Sequence, residues 1–104
     1  MLLVFSTLTM VAQTRTITGR VLDGDFNNEP LIGAAIRMEF SDKNHPAAGT
    51  VSDIDGNFSI SVSDKVKGFY VTFVGYVTQY VKVGDKSNYN VILRADSKVM
   101  DEVV

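Results

Sequence analysis

The stretch Thr50-Val51-Ser52-Asp53-Ile54-Asp55-Gly56-Asn57-Phe58-Ser59-Ile60, TVSDIDGNFSI, admits two readings, and the choice between them decides the fold. Its Asp-x-Asp-Gly centre has the look of a calcium loop. With Gly56 set on the loop's invariant glycine, Asp53 and Asp55 fall on ligand positions three and five. Position one then becomes Val51 and position twelve Val62, so two essential oxygens are missing. Val62 is also claimed elsewhere, because Phe58, Ile60 and Val62 alternate with Asn57, Ser59, Ser61 and Ser63 as in a strand with one dry and one wet face. The turn reading accounts for more of the residues. Asp55-Gly56 joins residues 50–52 to 58–60 as a tight hairpin, with Gly56 at positive φ and Asp55 or Asn57 capping free amides. No metal ligand is expected here.

Working outward, the same period of two recurs, and helical spacing is nowhere sustained. It predicts strands over residues 16–22, with Ile17, Gly19 and Val21 inward, and 34–40, with Ala34, Ile36, Met38 and Phe40 inward. Further strands follow at 49–52, 57–63, 68–74 (Phe69, Val71, Phe73), 77–83 (Val77, Val81, Val83) and 89–93 (Tyr89, Val91, Leu93). Between them stand turn residues: Asp23-Gly24-Asp25, Asn27-Asn28-Glu29-Pro30, Asp42-Lys43-Asn44-His45-Pro46, Asp64-Lys65 and Gly84-Asp85-Lys86. Seven short strands without a helix predict an all-β, antiparallel β-sandwich.

With 104 residues, 45% of them hydrophobic, the chain has room for a single core. A formal charge of -2 offers no basic surface for phosphates, which argues against a nucleic-acid partner. Cysteine is absent, removing disulfides, thiolate nucleophiles and cysteine metal sites. The start differs in kind: residues 2–11 are an uncharged, largely apolar run ending at Ala12-Gln13. A bilayer-spanning helix needs about 20 apolar residues, so this run reads as the core of an export signal at 1–13, truncated at its start and cleaved near Ala12.

Candidates for chemistry fail one by one. Gly19 and Gly24 have the spacing of a phosphate loop, but Asp25 and Phe26 stand where Lys and Ser or Thr are required. His45 is the only histidine and has no second ligand or triad partner in the pattern. There is no Gly-x-Ser-x-Gly elbow, and Asp101-Glu102 sit in a tail. Tyr70, Tyr76 and Tyr80 are candidates for sugar stacking, with Tyr80 on the outward face of its strand, although tyrosine also simply suits a solvated sheet face. The expectation is no enzyme, and no catalytic, cofactor or metal residue.

The order GRVLD, EPLIGAAI, GTVSDIDGNFSI, FVGYVTQ, YNVIL and MDEVV resembles the N-terminal carboxypeptidase-regulatory-like domain of SusC/RagA-type TonB-dependent outer-membrane receptors, from Thr16 to Val104. The resemblance implies a transthyretin-like (prealbumin-like) sandwich at 14–94 and a flexible linker at 95–104 leading toward a TonB box. Gly19, Val21, Pro30, Leu31, Gly33, Gly49, Asp53, Gly56, Phe58, Gly75 and Tyr76 match the family's structural signature, none of it catalytic. It further implies a periplasmic accessory role in glycan or peptide uptake. The partners would be the receptor's own plug and barrel, TonB and a SusD-like lipoprotein. The alternative is a glycan-binding sandwich using the surface tyrosines. Residues 41–48 are longer than the family's usual hairpin.

Overall fold

A computed structural model describes residues 14–96; the expected export signal and most of the expected linker lie outside them. The described chain is all-β: β1 (Thr14–Asp23), β2 (Glu29–Pro30), β3 (Ala35–Phe40), β4 (Gly49–Val51), β5 (Asn57–Ser63), β6 (Val66–Thr72), β7 (Gln79–Lys82) and β8 (Asn88–Leu93). The eighth strand, beyond the seven expected, is β2. It is two residues long and pairs Leu22 with Pro30 and Asp23 with Glu29, too short to leave any period in the sequence.

In the first sheet β1 is central. One edge carries β5, antiparallel from Thr14↔Ser63 to Arg20↔Asn57, and then β2. The other carries β8, parallel from Thr18↔Asn88 to Asp23↔Leu93. This parallel pair departs from a purely antiparallel sandwich, and it follows from the first and last strands lying side by side in one direction. The second sheet runs β4-β3-β6-β7, antiparallel throughout.

Period-two alternation places most of the core where it was expected; Val66 was not foreseen, and Met38, Phe40, Phe73, Val81, Val83 and Tyr89 are partly buried against it. From the first sheet come Ile17, Val21, Phe58, Ile60, Val62, Val91 and Leu93. From the second come Ala34, Ile36, Val66, Phe69 and Val71, all buried. Gly19 faces inward by the same alternation, and the Phe58 ring occupies the space a side chain there would need. That ring meets Phe69 edge-on at 5.7 Å, and Phe69 meets Tyr89 likewise at 5.8 Å. Burying each such side chain contributes about 1.5–3 kcal/mol.

TVSDIDGNFSI is a turn, as expected, but not a hairpin within one sheet. β4 pairs with β3 and β5 with β1, so the turn carries the chain from one sheet to the other. Gly56 has φ 77°, as required of it. The capping acid is Asp53 rather than Asp55 or Asn57: its Oδ1 accepts the amides of Asp55 (3.0 Å) and Asn57 (2.8 Å).

Several strand bounds differ from those expected, and those of β6 and β7 change which residues face the core. β6 begins at Val66, buried and paired to Phe40 across a bulge, and it ends at Thr72 because residues 73–76 turn about Gly75, whose φ is 88°. β7 begins at Gln79, and Val77, expected inward, is 45% exposed; its amide is taken by the Arg94 carbonyl. In the long loop at 41–48, Asp42 accepts the Asn44 amide at 3.0 Å, and the His45 ring stacks on Phe40 at 3.7 Å.

Candidate functional site

The two ends of the sandwich are built from different material. At the end where β1 starts, the connections read Asp42-Lys43-Asn44, Asp64-Lys65 and Asp85-Lys86. Arg15 ties this end together by donating to the carbonyls of Gly84, Asp85 (3.2 Å) and Lys86 (3.4 Å).

At the other end, where the described chain leaves at Asp96, a set of bonds holds the last residues down. Ala95 forms an antiparallel bridge with Tyr76, and its amide donates to Asp25 Oδ2 at 2.7 Å. The Asp96 amide donates to the Gly75 carbonyl and the Val77 amide to that of Arg94, each at 2.9 Å. Arg94 donates to the Gly24 carbonyl at 2.8 Å and pairs with Asp25 at 3.6 Å. Below them lies Asp23, 5% exposed, accepting the Asp25 amide at 3.0 Å and the Tyr76 hydroxyl at 2.5 Å. A buried carboxylate needs such partners to offset its desolvation. The hydrogen bond to Asp23 raises the Tyr76 pKa above its usual 10.0, with desolvation and the charges of Asp23 and Asp25 acting in the same direction. Thus Ala95 and Asp96, expected to begin a flexible linker, are fastened to the sandwich.

Ser52, 3% exposed, completes this end. Its hydroxyl donates to the Leu31 carbonyl at 2.6 Å and accepts the Ala34 amide at 2.9 Å, locking the residues 31–34 turn against β4.

Of the three candidate tyrosines the structure brings together two. Tyr70 and Tyr80 are cross-strand partners on the outer face of the second sheet, with ring centroids 4.8 Å apart and planes tilted by 57°, and Arg37 lies 5.4 Å from the Tyr70 centroid. Loss of hydration, then the hydrogen bond and charge of Glu39, raise the Tyr80 pKa. Tyr76 is elsewhere, held by Asp23 with its ring edge-on to Phe73 at 5.5 Å.

A groove of about 650 Å³ also crosses the outer face of the first sheet, lined by Thr18, Arg20, Asn57, Ser59, Asn88 and Asn90 among others. Sequence reasoning missed it because its residues come from four strands, β1, β4, β5 and β8, and the turn after β4. Its polar atoms are partly engaged already: Arg20 donates to the Asp55 carbonyl at 2.9 Å and Asn88 to the Thr18 hydroxyl at 3.0 Å.

The profile of the CarboxypepD_reg-like domain matches residues 17–104. The chain belongs to the CarboxypepD_reg-like domain family. Within it, the chain is 35% identical to the TonB-dependent receptor SusC of Bacteroides thetaiotaomicron over 97% of its own length and 9% of the receptor's. It is 41% identical to the TonB-dependent receptor P3 of Formosa agariphila over 56% of its length and 6% of that receptor's. The resemblance read from the six sequence segments therefore stands, and the chain spans under a tenth of the length of either receptor.

Solved structures agree on the sandwich. The 3-chlorocatechol 1,2-dioxygenase of Rhodococcus opacus superposes with TM-score 0.62 at 12% identity, over 83% of this chain and 61% of that one. A streptococcal ancillary pilin gives 0.56 at 18%, over 80% and 30%. A Parabacteroides merdae DUF3823 protein gives 0.52 at 17%, over 82% and 47%. At these identities the likeness is one of fold. The prealbumin-like sandwich of the CarboxypepD_reg-like domain is thus the architecture, with eight strands instead of seven among the described residues.

Proposed function

We propose that this chain is a non-catalytic accessory domain of a SusC-type TonB-dependent receptor for glycan or peptide uptake. It works on the periplasmic side of the outer membrane, after export directed by residues 1–13, through contacts with the plug and barrel of its own receptor. TonB and a SusD-like lipoprotein are the further partners. The observation that carries this reading is the match to SusC along 97% of the chain, spanning only 9% of the receptor. The bonds around Arg94, Ala95 and Asp96 support it, because they hold the last described residues at one end of the sandwich. A fixed exit suits a domain that presents an extended segment for capture by strand pairing.

The test is deletion of residues 14–94 from the receptor that carries this chain, followed by measurement of substrate uptake and of cross-linking to TonB. Loss of either, with the barrel still inserted, supports the reading. Unchanged uptake and unchanged cross-linking remove its basis.

A glycan-binding module is the second reading, favoured by the adjacency of Tyr70 and Tyr80 on one outer face. Their rings are tilted against each other rather than coplanar, a poor match for a flat sugar face. Saturable binding on a glycan array, abolished by Tyr80→Ala, would move this reading ahead of the first.

A further inference from the structure

The end of the sandwich from which the chain leaves has aliphatic or aromatic side chains at the tips of its turns. Turn positions ordinarily hold Pro, Asp, Asn, Ser or Gly. Here Phe26 is 65% exposed, Ile32 58%, Ile54 76% and Val74 95%. Three of the four lie in turns built about a glycine at positive φ: Ile32 before Gly33 (80°), Ile54 two before Gly56 (77°) and Val74 before Gly75 (88°).

Strand register sets the last three side by side. Ala35 pairs with Val51 on one flank and with Thr72 on the other, so the chain on either side of Gly33 continues into Asp53-Ile54 and into Phe73-Val74. The Gly33 amide bonds the Ser52 carbonyl at 2.9 Å, fixing that arrangement. The opposite end has charged residues in the corresponding turns. Such segregation of exposed apolar groups marks an interaction surface.

Resting on the accessory-domain reading above, we infer that this crest of Ile32, Ile54 and Val74, flanked by Phe26, docks onto the part of the same receptor that follows the domain. Two observations choose that occupant. The last described residues lie at this end, next to Val74, held there by the Tyr76–Ala95 bridge and by the bond from the Asp96 amide to the Gly75 carbonyl. A partner in the same chain, joined by a short flexible linker, is held at an effective concentration of about the millimolar range, and a small aliphatic surface then suffices for docking. The relatives' length supplies the attached partner, since the chain matches only 9% of SusC.

Charge argues against a lipid surface as the occupant. The turns at this end carry Asp25, Glu29, Asp53 and Asp55 against Arg20 and Arg94, whereas membrane-seeking surfaces surround their apolar tips with Lys and Arg. The complementary surface on the receptor is accordingly an aliphatic patch with a basic rim.

The test is photo-cross-linking in the intact receptor that carries this chain, with p-benzoylphenylalanine placed singly at Ile32, Ile54 and Val74, and at Lys65 and Asp85 of the opposite end. All five positions are exposed, so the fold tolerates the probe. The expected result is adducts from the three crest positions to receptor segments beyond the domain, in several-fold higher yield than from Lys65 or Asp85. Adducts from the crest to lipid, or to a second copy of the domain, overturn the inference. Adducts to the receptor from Lys65 and Asp85 but not from the crest overturn the surface while leaving the accessory role standing. Absence of receptor adducts from both ends overturns the surface and the accessory role together.

Discussion

The interlock of Phe58 with Gly19 is the point at which the core is most exposed to a single change. Phe58 is 4% exposed, its ring fills the space left by Gly19, and it lies edge-on to Phe69 at 5.7 Å. Phe58→Ala removes that ring at a cost of about 3–5 kcal/mol, against a total stability of about 5–15 kcal/mol for a typical domain. At about 4–8 °C per kcal/mol for a domain of this size, the melting temperature falls by roughly 12–40 °C. Gly19→Ala works from the other side. Its new methyl group meets both the Phe58 ring and the Tyr89 carbonyl oxygen, and overpacking of this kind costs about 1–3 kcal/mol. In the double variant Gly19→Ala/Phe58→Ala the ring is gone, so the methyl enters vacated space and the two losses sum to less than their separate values. Rescue stays partial because the Tyr89 carbonyl remains in place. Urea and thermal unfolding of the two single variants and the double variant give the cycle, with a coupling of at least about 0.5 kcal/mol expected. A melting temperature for Phe58→Ala within a degree or two of the parent would refute the assignment of Phe58 to the core. Strict additivity in the double variant would refute the interlock.

Asp53→Ala deprives the Asp55 and Asn57 amides of their shared acceptor and lowers stability by about 1 kcal/mol, while Asp55→Ala stays within about 0.5 kcal/mol; urea midpoints of the two variants check which acid shapes the turn. Tyr76, its pKa raised above 10.0 by the bond to Asp23, stabilises the fold fully below that value and loses the contribution as pH climbs through the raised pKa. Urea midpoints measured from neutral pH into the strongly alkaline range therefore decline at the alkaline end in the parent, and Tyr76→Phe lacks that component of the decline. Because β1 and β8 are parallel across six registered pairs from Thr18↔Asn88 to Asp23↔Leu93, pulling at Thr14 and Asp96 loads those pairs in shear. Pulling at Thr14 and Ser63, neighbours in the antiparallel β1–β5 pair, opens bonds one after another, so single-molecule force spectroscopy finds the larger unfolding force for the first geometry.

What was legible in the sequence was whatever repeats over a few residues. Phe58, Ile60 and Val62 announce their burial by alternation, and Gly56 announces a turn that the structure builds with positive φ. Pairing was not legible, because it is settled by distant residues. TVSDIDGNFSI reads as a hairpin until Ile60 is found opposite Ile17 in one sheet and Thr50 opposite Ile36 in the other. The parallel partnership of β1 and β8 is likewise invisible to any local window.

The end that we infer to dock was hidden for the same reason. Asp23 read as one more turn residue, and its bond to Tyr76 spans 53 positions. Tyr76 read both as a signature residue and as a stacking candidate; the Asp23 bond makes it a structural strut. The turn was expected to be capped by Asp55 or Asn57, and only the geometry shows Asp53 in that role. Ile32, Ile54 and Val74 stand apart in sequence, and each alone is an ordinary exposed aliphatic residue. Their common position at the chain's exit exists only in the fold.

Hydrogen exchange in the turns at both ends of the sandwich, compared between the purified chain and the receptor that carries it, tests the central claim most directly: a scaffold that acts by resting its exit end on its own receptor. Amides at Gly33, Asp55 and Gly75 are expected to exchange more slowly in the receptor, while those at Lys43, Lys65 and Lys86 are unchanged. Equal exchange at Gly33, Asp55 and Gly75 in the two samples would contradict it.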